Sequence, residues 1–229
     1  MNKRSFIPVV AFTLLCLLQS CIELKQVTHI NKDGTGMINI HYWTRMSNLS
    51  MGDEMGNFAF SEIKARNYLT SAGTEVRELK IETRNNDSTI HVTAVVNFSD
   101  FNKLNEAKTF SKFRTLWEKA GDEYVFIYAL DKDSVAGINF SKGNNELNYE
   151  FNFPGEVMSG NGKSDGSKAV WKIHSSGISE GFNLQARVKA GSALSELLRV
   201  EVLVALILLA LALFTFRNMR RSNEKKTAP

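Results

Sequence analysis

Cysteine, proline and clustered positive charge are all scarce in this chain, and each scarcity excludes something. Of its two cysteines, Cys16 lies inside an N-terminal apolar leader and Cys21 at the leader's end. Removal of the leader leaves one thiol, so no intrachain disulfide can staple the fold, and cysteine usage says nothing about redox compartment. Only Pro154 of the three prolines falls between the two ends. No Pro-, Gly- or Ser-rich stretch divides that region, so a single domain is expected. The formal charge of +4 is misleading. Lys3 and Arg4 precede the first apolar stretch, and Arg217, Arg220, Arg221, Lys225 and Lys226 follow the last. Setting these and Glu224 aside leaves 21 basic residues against 23 acidic ones. Phosphate binding needs grouped cations, so no nucleic-acid partner is expected.

What the chain does have is concentrated at its ends. Lys3 and Arg4 form a basic n-region, Phe6 to Leu18 an apolar h-region, and small Ser20 precedes Cys21. This is the grammar of a secretory signal, and the apolar stretch is short for a bilayer span. Leu18-Gln19-Ser20-Cys21 resembles a lipobox, at which bacteria diacylate a cysteine thiol and cleave before it. Gln19 stands where a smaller residue is usual. An ordinary leader with an incidental cysteine is the competing reading, but leader and cysteine fall in register. Residues 1–20 are therefore read as a lipoprotein signal peptide and Cys21 as the lipidation site.

At the other end, Val202 to Phe216 contains no charge and one Thr. Extended back to Leu197 it makes a helix of about 30 Å, the hydrocarbon thickness. Arg199 and Glu201 then sit near the outer boundary, where long side chains reach the headgroups. An intramembrane carboxylate invites an ion or proton role for Glu201, but interfacial placement explains it as well. The five basic residues after Phe216 favour the cytoplasmic side. The division is thus 1–20 signal peptide, 21–190 exported domain, 191–196 linker, 197–216 transmembrane helix and 217–229 basic cytoplasmic tail. The location implied is a bacterial cell membrane, with the domain extracytoplasmic.

Within the domain, two-residue alternation dominates. Ile22 to Asn31 and Met37 to Thr44 read as strands. A three-residue loop of Asp33, Gly34 and Thr35 puts Leu24, Ile30, Ile38, Ile40 and Tyr42 on one face. Phe58 to Ala72 reads as a helix, with Phe58, Ala65, Tyr68, Leu69 and Ala72 on one stripe and Phe60 and Ile63 off it. Gly73 is its stop. Glu75 to Arg84 and Thr89 to Phe98 form a hairpin, and Ser99 or Asp100 caps a short helix to about Ala107. Phe113 to Glu118 and Glu123 to Leu130 form another hairpin. The latter strand is apolar on both faces, which predicts a strand covered on both sides. Leu147 to Phe153, Ala169 to His174 and Phe182 to Val188 close the domain. The predicted fold class is α+β: a mainly antiparallel sheet with one or two packed helices, plus the single C-terminal transmembrane helix.

Phe153-Pro154-Gly155-Glu156-Val157, then Asn161-Gly162, then Val170-Trp171, resembles the end of the LppM-domain family of bacterial envelope lipoproteins. The Asp33-Gly34-Thr35-Gly36 hairpin soon after the lipobox cysteine is similar too, as is a closing transmembrane helix. The likeness runs from about Cys21 to Val188 on short motifs, and the long middle carries no matching signature. The resemblance implies an envelope-exposed α+β domain with lipid or glycolipid binding, and it brings no catalytic set.

Catalytic and metal motifs fail on inspection. Gly160-Asn161-Gly162-Lys163-Ser164 has the look of a phosphate loop, but Val157 stands where the first glycine belongs; a flexible hairpin loop is the better reading. His29 and His41 share a polar strand face, yet two imidazoles without a third ligand make no zinc site. His91 and His174 approach only if the fold permits. Asp131-Lys132-Asp133-Ser134 begins like a calcium loop, and Val135 then takes a ligand position. No Gly-x-Ser-x-Gly elbow occurs. No enzyme, cofactor or metal is expected, and the ligand-binding residues are unassigned.

Two functions stay open. One is a binding module for a lipid, glycolipid or other envelope component, suggested by the surplus of Phe58, Phe60, Phe110, Phe113, Trp117, Tyr124, Phe126 and Tyr128; an ordinary core accounts for the same rings. The other is a non-catalytic scaffold or assembly partner of membrane proteins, which predicts an exposed apolar patch instead of an internal cavity.

Overall fold

The computed structural model describes residues 22–49, 52–135, 146–174, 178, 180–190, 204, 205 and 208. The chain divides into two compact units, 1–190 and 191–229. In the second, Val204, Ala205 and Leu208 are helical and exposed. Among the described residues no helix is long and apolar enough to cross a membrane. The rest of the predicted span over 197–216, the leader, Cys21 and Glu201 lie outside the described residues.

Thirteen strands are described in the first unit: β1 Glu23–Ile30, β2 Gly36–Arg45, β3 Glu54–Met55, β4 Phe58–Ala59, β5 Thr74–Arg84, β6 Thr89–Phe98, β7 Phe113–Ala120, β8 Glu123–Leu130, β9 Glu146–Asn152, β10 Val157–Gly160, β11 Lys163–Asp165, β12 Lys168–His174 and β13 Phe182–Lys189. They form a seven-stranded sheet in the order β11-β12-β9-β1-β2-β6-β5, a four-stranded sheet β10-β13-β8-β7 and the small pair β3-β4. All pairings are antiparallel except β1 with β9. The fold is sheet-dominated α+β, with two main sheets where one was expected.

The sheets meet face to face because alternation gives each an apolar side. Phe126 and Tyr128 of β8 pack on Phe151 and Tyr149 of β9, with ring centroids 4.6 and 5.6 Å apart. Phe101, from the 3-10 helix Phe101–Glu106, packs against both Phe126 and Phe151. The same face of β1 carries Gln26 and Thr28, both buried. They are accommodated by bonding each other, Gln26 Nε2 donating to Thr28 Oγ1 at 3.0 Å, while the Tyr128 hydroxyl donates to Gln26 Oε1 at 3.5 Å. Such mutual satisfaction makes a buried amide tolerable.

Several local expectations need correction. The β1–β2 connection pairs Asn31 with Thr35, so its three-residue tip is Lys32, Asp33 and Gly34. That shift of two in register preserves parity, which is why the predicted inward face survives. The predicted helix 58–72 shrinks to α1, Glu62–Leu69. Phe58 and Phe60 both precede the helix and are buried by packing edge-on against Tyr42. The Tyr42 hydroxyl donates to the Ala59 carbonyl at 2.6 Å. Asp100 does cap its helix, accepting from the Asn102 amide at 2.9 Å, although that helix is 3-10. β8 is central within its sheet, and its outer face is covered at Ala129 and only in part at Val125 and Ile127. Phe126, Tyr128 and Leu130 are buried on the inner face, while Val125 and Ile127 outside are only half-buried.

Candidate functional site

Alternation on β2 and β6 turns His41, Trp43 and His91 to the outer face of the seven-stranded sheet. The register sets Trp43 opposite His91 and His41 opposite Thr93. The three rings lie nearly parallel, with His41 and Trp43 centroids 4.9 Å apart and Trp43 and His91 5.6 Å apart. A polar chain runs through them. Asp87 Oδ1 accepts from the Thr89 hydroxyl at 2.5 Å. The hydroxyl, already donating, accepts from His91 Nε2 at 2.9 Å. His91 Nδ1 is then an acceptor, met by His41 Nε2 at 3.1 Å. The tautomers follow from that network.

Burial lowers the pKa of both histidines, aided for His41 by His91 and Arg84 and for His91 by Arg84; Glu82 opposes in both cases and Asp87 for His91. Both rings are therefore neutral at pH 7. His29 and His41 share the outer face of the β1–β2 hairpin as expected, and the ring bonded to His41 is His91 of β6. His29 sits on β1 opposite Met37, and His174 on β12 opposite Glu146. Among the described residues no three His, Cys, Asp or Glu side chains converge as metal ligands. Trp43 was missed, although its two-residue offset from His41 already placed it on the same face.

A second feature lies between the sheets. Ile22, Leu24, Phe58, Phe113, Leu130 and Tyr149 line an almost wholly apolar cavity of about 10 Å³. That is room for about one water molecule. Thr109 also lines it, with a buried hydroxyl that finds no hydrogen-bond partner. The aromatic surplus is largely core: Phe58, Phe60, Phe110, Phe113, Trp117, Phe126 and Tyr128 are buried, and Tyr124 stacks on Trp117 at 4.6 Å.

The Asn161-Gly162 stretch is no flexible loop. It is the turn between β10, in the four-stranded sheet, and β11, in the seven-stranded one. Asn161 Oδ1 accepts from Trp171 Nε1 at 2.8 Å and from the Gln185 amide at 2.9 Å, and its Nδ2 donates to the Asn183 carbonyl at 2.6 Å. A Cβ on Gly162 would stand 2.4 Å from the Trp171 ring, and one on Gly155 2.0 Å from the Lys189 carbonyl. These residues tie the sheets together. Asp131 precedes the helical turn Lys132–Val135, and its carboxylate lies 3.8 Å from Arg114.

The fold and its contacts define a domain of two main sheets, with a stacked cluster of His41, Trp43 and His91 on one outer face and a small apolar cavity between the sheets. The chain belongs to the LppM-domain family: the LppM domain model matches residues 51–190. The matched stretch starts after β1 and β2, although both are interior strands of the larger sheet. Among solved structures, the NMR structure of the folded domain of Mycobacterium tuberculosis LppM is similar to this chain at 14% sequence identity and a TM-score of 0.48. The alignment covers 75% of this chain and 91% of that one. Among curated proteins, none matches.

Proposed function

We propose that this LppM-domain protein is an envelope lipoprotein acylated on Cys21 and held a second time by the helix 197–216. On this reading its exported domain binds a lipid, glycolipid or other envelope component, and it acts by binding without catalysis. The anchoring rests on the leader, the lipobox-like Leu18 to Cys21 and the basic cluster after Phe216. One structural observation supports binding on the outside of the domain: the apolar cavity lined by Ile22, Leu24, Phe58 and Tyr149 holds about 10 Å³. An acyl chain requires a pocket of several hundred Å³, so that cavity does not take one. The half-buried Val125 and Ile127, with Met158 54% exposed, also suit the second reading, a scaffold for membrane proteins.

Labelled lipid incorporation into the wild type and Cys21→Ala, with protease accessibility in spheroplasts, tests the anchors. Loss of label in Cys21→Ala and digestion of the domain from outside are expected; unchanged labelling refutes acylation. Native mass spectrometry of the detergent-extracted full chain separates the two functions. A retained lipid or glycolipid supports the first, and a retained membrane protein the second.

A further inference from the structure

Independently of the anchoring, we infer that the domain pairs with a second copy of itself along the edge of β5, the two strands meeting antiparallel about a twofold axis at Ile81. β5 ends the seven-stranded sheet, and among the described residues no strand lies beyond it. The amides and carbonyls along such an edge are a template for another strand. The other described edges offer less. β11 has three residues, and β10 has four with a register shift between Val157 and Ser159. On β7 the Asn102 side chain occupies the edge, accepting from the Trp117 amide at 2.7 Å and donating to the Trp117 carbonyl at 3.1 Å.

The length of β5 open to pairing is set by its own irregularity. Its register with β6 shifts between Val76 and Glu78, leaving Arg77 unmatched, and the ladder is regular from Glu78 to Arg84. The midpoint of that regular stretch is Ile81. Leu79, Ile81 and Thr83 lie on the core side, opposite Ala94, Val92 and Ile90. Glu78, Lys80, Glu82 and Arg84 alternate with them on the outer side, and all four are exposed.

Charge selects the register. Opposite residues of paired strands share a face, so a self-pairing that continues the sheet is centred on one residue. Centred on Lys80, it sets Lys80 against itself and Glu78 against Glu82. Centred on Glu82, it sets Glu82 against itself and Lys80 against Arg84. Centred on Ile81, Glu78 meets Arg84 and Lys80 meets Glu82, each twice by symmetry. Ile81 then meets Ile81 on the inner side, where Leu79 meets Thr83. Centres at Leu79 or Thr83 run into the bulge or off the strand end. Charges often blunt an edge against self-association; here they alternate in sign, and the reversed strand complements them. Lys80 Nζ already lies 2.6 Å from Glu82 Oε1 along its own strand, and a carboxylate has acceptor sites for both lysines. Leu79 and Ile81 are half-buried in the single domain, and the second copy covers what they still expose.

Glu78 and Arg84 supply the test, because six residues of strand hold them about 20 Å apart within one chain. Sedimentation equilibrium compares the full chain in mild detergent with Glu78→Arg, Arg84→Glu and the two together. The expected result is a dimer whose dissociation constant rises about tenfold in each single variant and returns to within about threefold of the parent in the double one. Under mild oxidation Ile81→Cys should give reducible dimer above the parent's level, since opposite Cα atoms about 4.5–5.5 Å apart suit a disulfide. Thr83→Cys, which faces Leu79, should not. A parent that stays monomeric overturns the inference, as does a dimer indifferent to the reversals, a double variant no better than the single ones, or equal crosslinking at 81 and 83. In cells, a photocrosslinking side chain at position 81 should capture this same chain; capture of a different protein in its place overturns the inference in favour of a foreign strand.

Discussion

Trp171 Nε1 donates to Asn161 Oδ1 at 2.8 Å, and that one oxygen also accepts the Gln185 amide. Trp171 belongs to the seven-stranded sheet and Gln185 to the four-stranded one, so a single side chain closes the sandwich along this edge. Asn161→Ala removes all three bonds of that side chain. Because Asn161 is exposed, water replaces part of what is lost, and the expected destabilisation is about 1–2 kcal/mol. Thermal denaturation of the full chain should show a drop of about 3–6 °C. A change below 1 °C would mean the contact is decorative.

Gly162→Ala acts on the same indole by volume. Its Cβ would fall 2.4 Å from Trp171 Cε2 and 2.6 Å from Nε1, and a rigid buried ring cannot yield without shifting its neighbours. The expected cost is about 1–3 kcal/mol. Combined with Asn161→Ala it should cost less than the sum, because both changes release the same ring. Strict additivity in denaturant titrations would contradict the shared-ring account.

Thr109→Val should leave stability unchanged or raise it by up to about 1 kcal/mol. The hydroxyl is buried without a protein partner beside an apolar cavity, and valine keeps the shape while removing the desolvated oxygen. A clear loss of stability on urea denaturation would show that the oxygen has a bonding role.

The histidine pair predicts acid sensitivity. Burial, first of all, holds both folded-state pKa values below the ordinary 6.5. The unfolded chain therefore binds protons first as pH falls. The contribution is fully present above about pH 6.5 and is lost progressively from there down towards the lowered folded-state values. Denaturation at pH 7.5, 6.5 and 5.5 should show stability falling with pH, and His41→Gln with His91→Gln should flatten that slope. An equal slope in the double variant would assign the acid sensitivity elsewhere.

Much of the sheet was legible because alternation is a local property. Ile38, Ile40 and Tyr42 of β2, and Val92, Ala94 and Val96 of β6, are buried as their spacing indicates. The helix was misjudged at its start because Phe58 falls by coincidence on the helical stripe, while Tyr42, sixteen residues earlier, is what buries it. Val125 and Ile127 misled in the other direction. Their apolarity suggested a covering layer, yet in the domain they are half-buried. The meeting of His41 with His91 could not be read from spacing, since it depends on the β2–β6 register fifty residues apart.

By itself, the sequence determined the two apolar ends, the single unpaired thiol expected at Cys21 and the inward parity of most strands, because hydrophobicity and two-residue periodicity are properties of each segment alone. Only the tertiary structure decided that β9 runs parallel beside β1, that β10 and β11 part into different sheets at Asn161, and that the apolar cavity beside Ile22 and Tyr149 holds about 10 Å³. Those outcomes depend on which distant segments find each other, and chain-closure entropy and side-chain volume settle that choice over the whole domain at once.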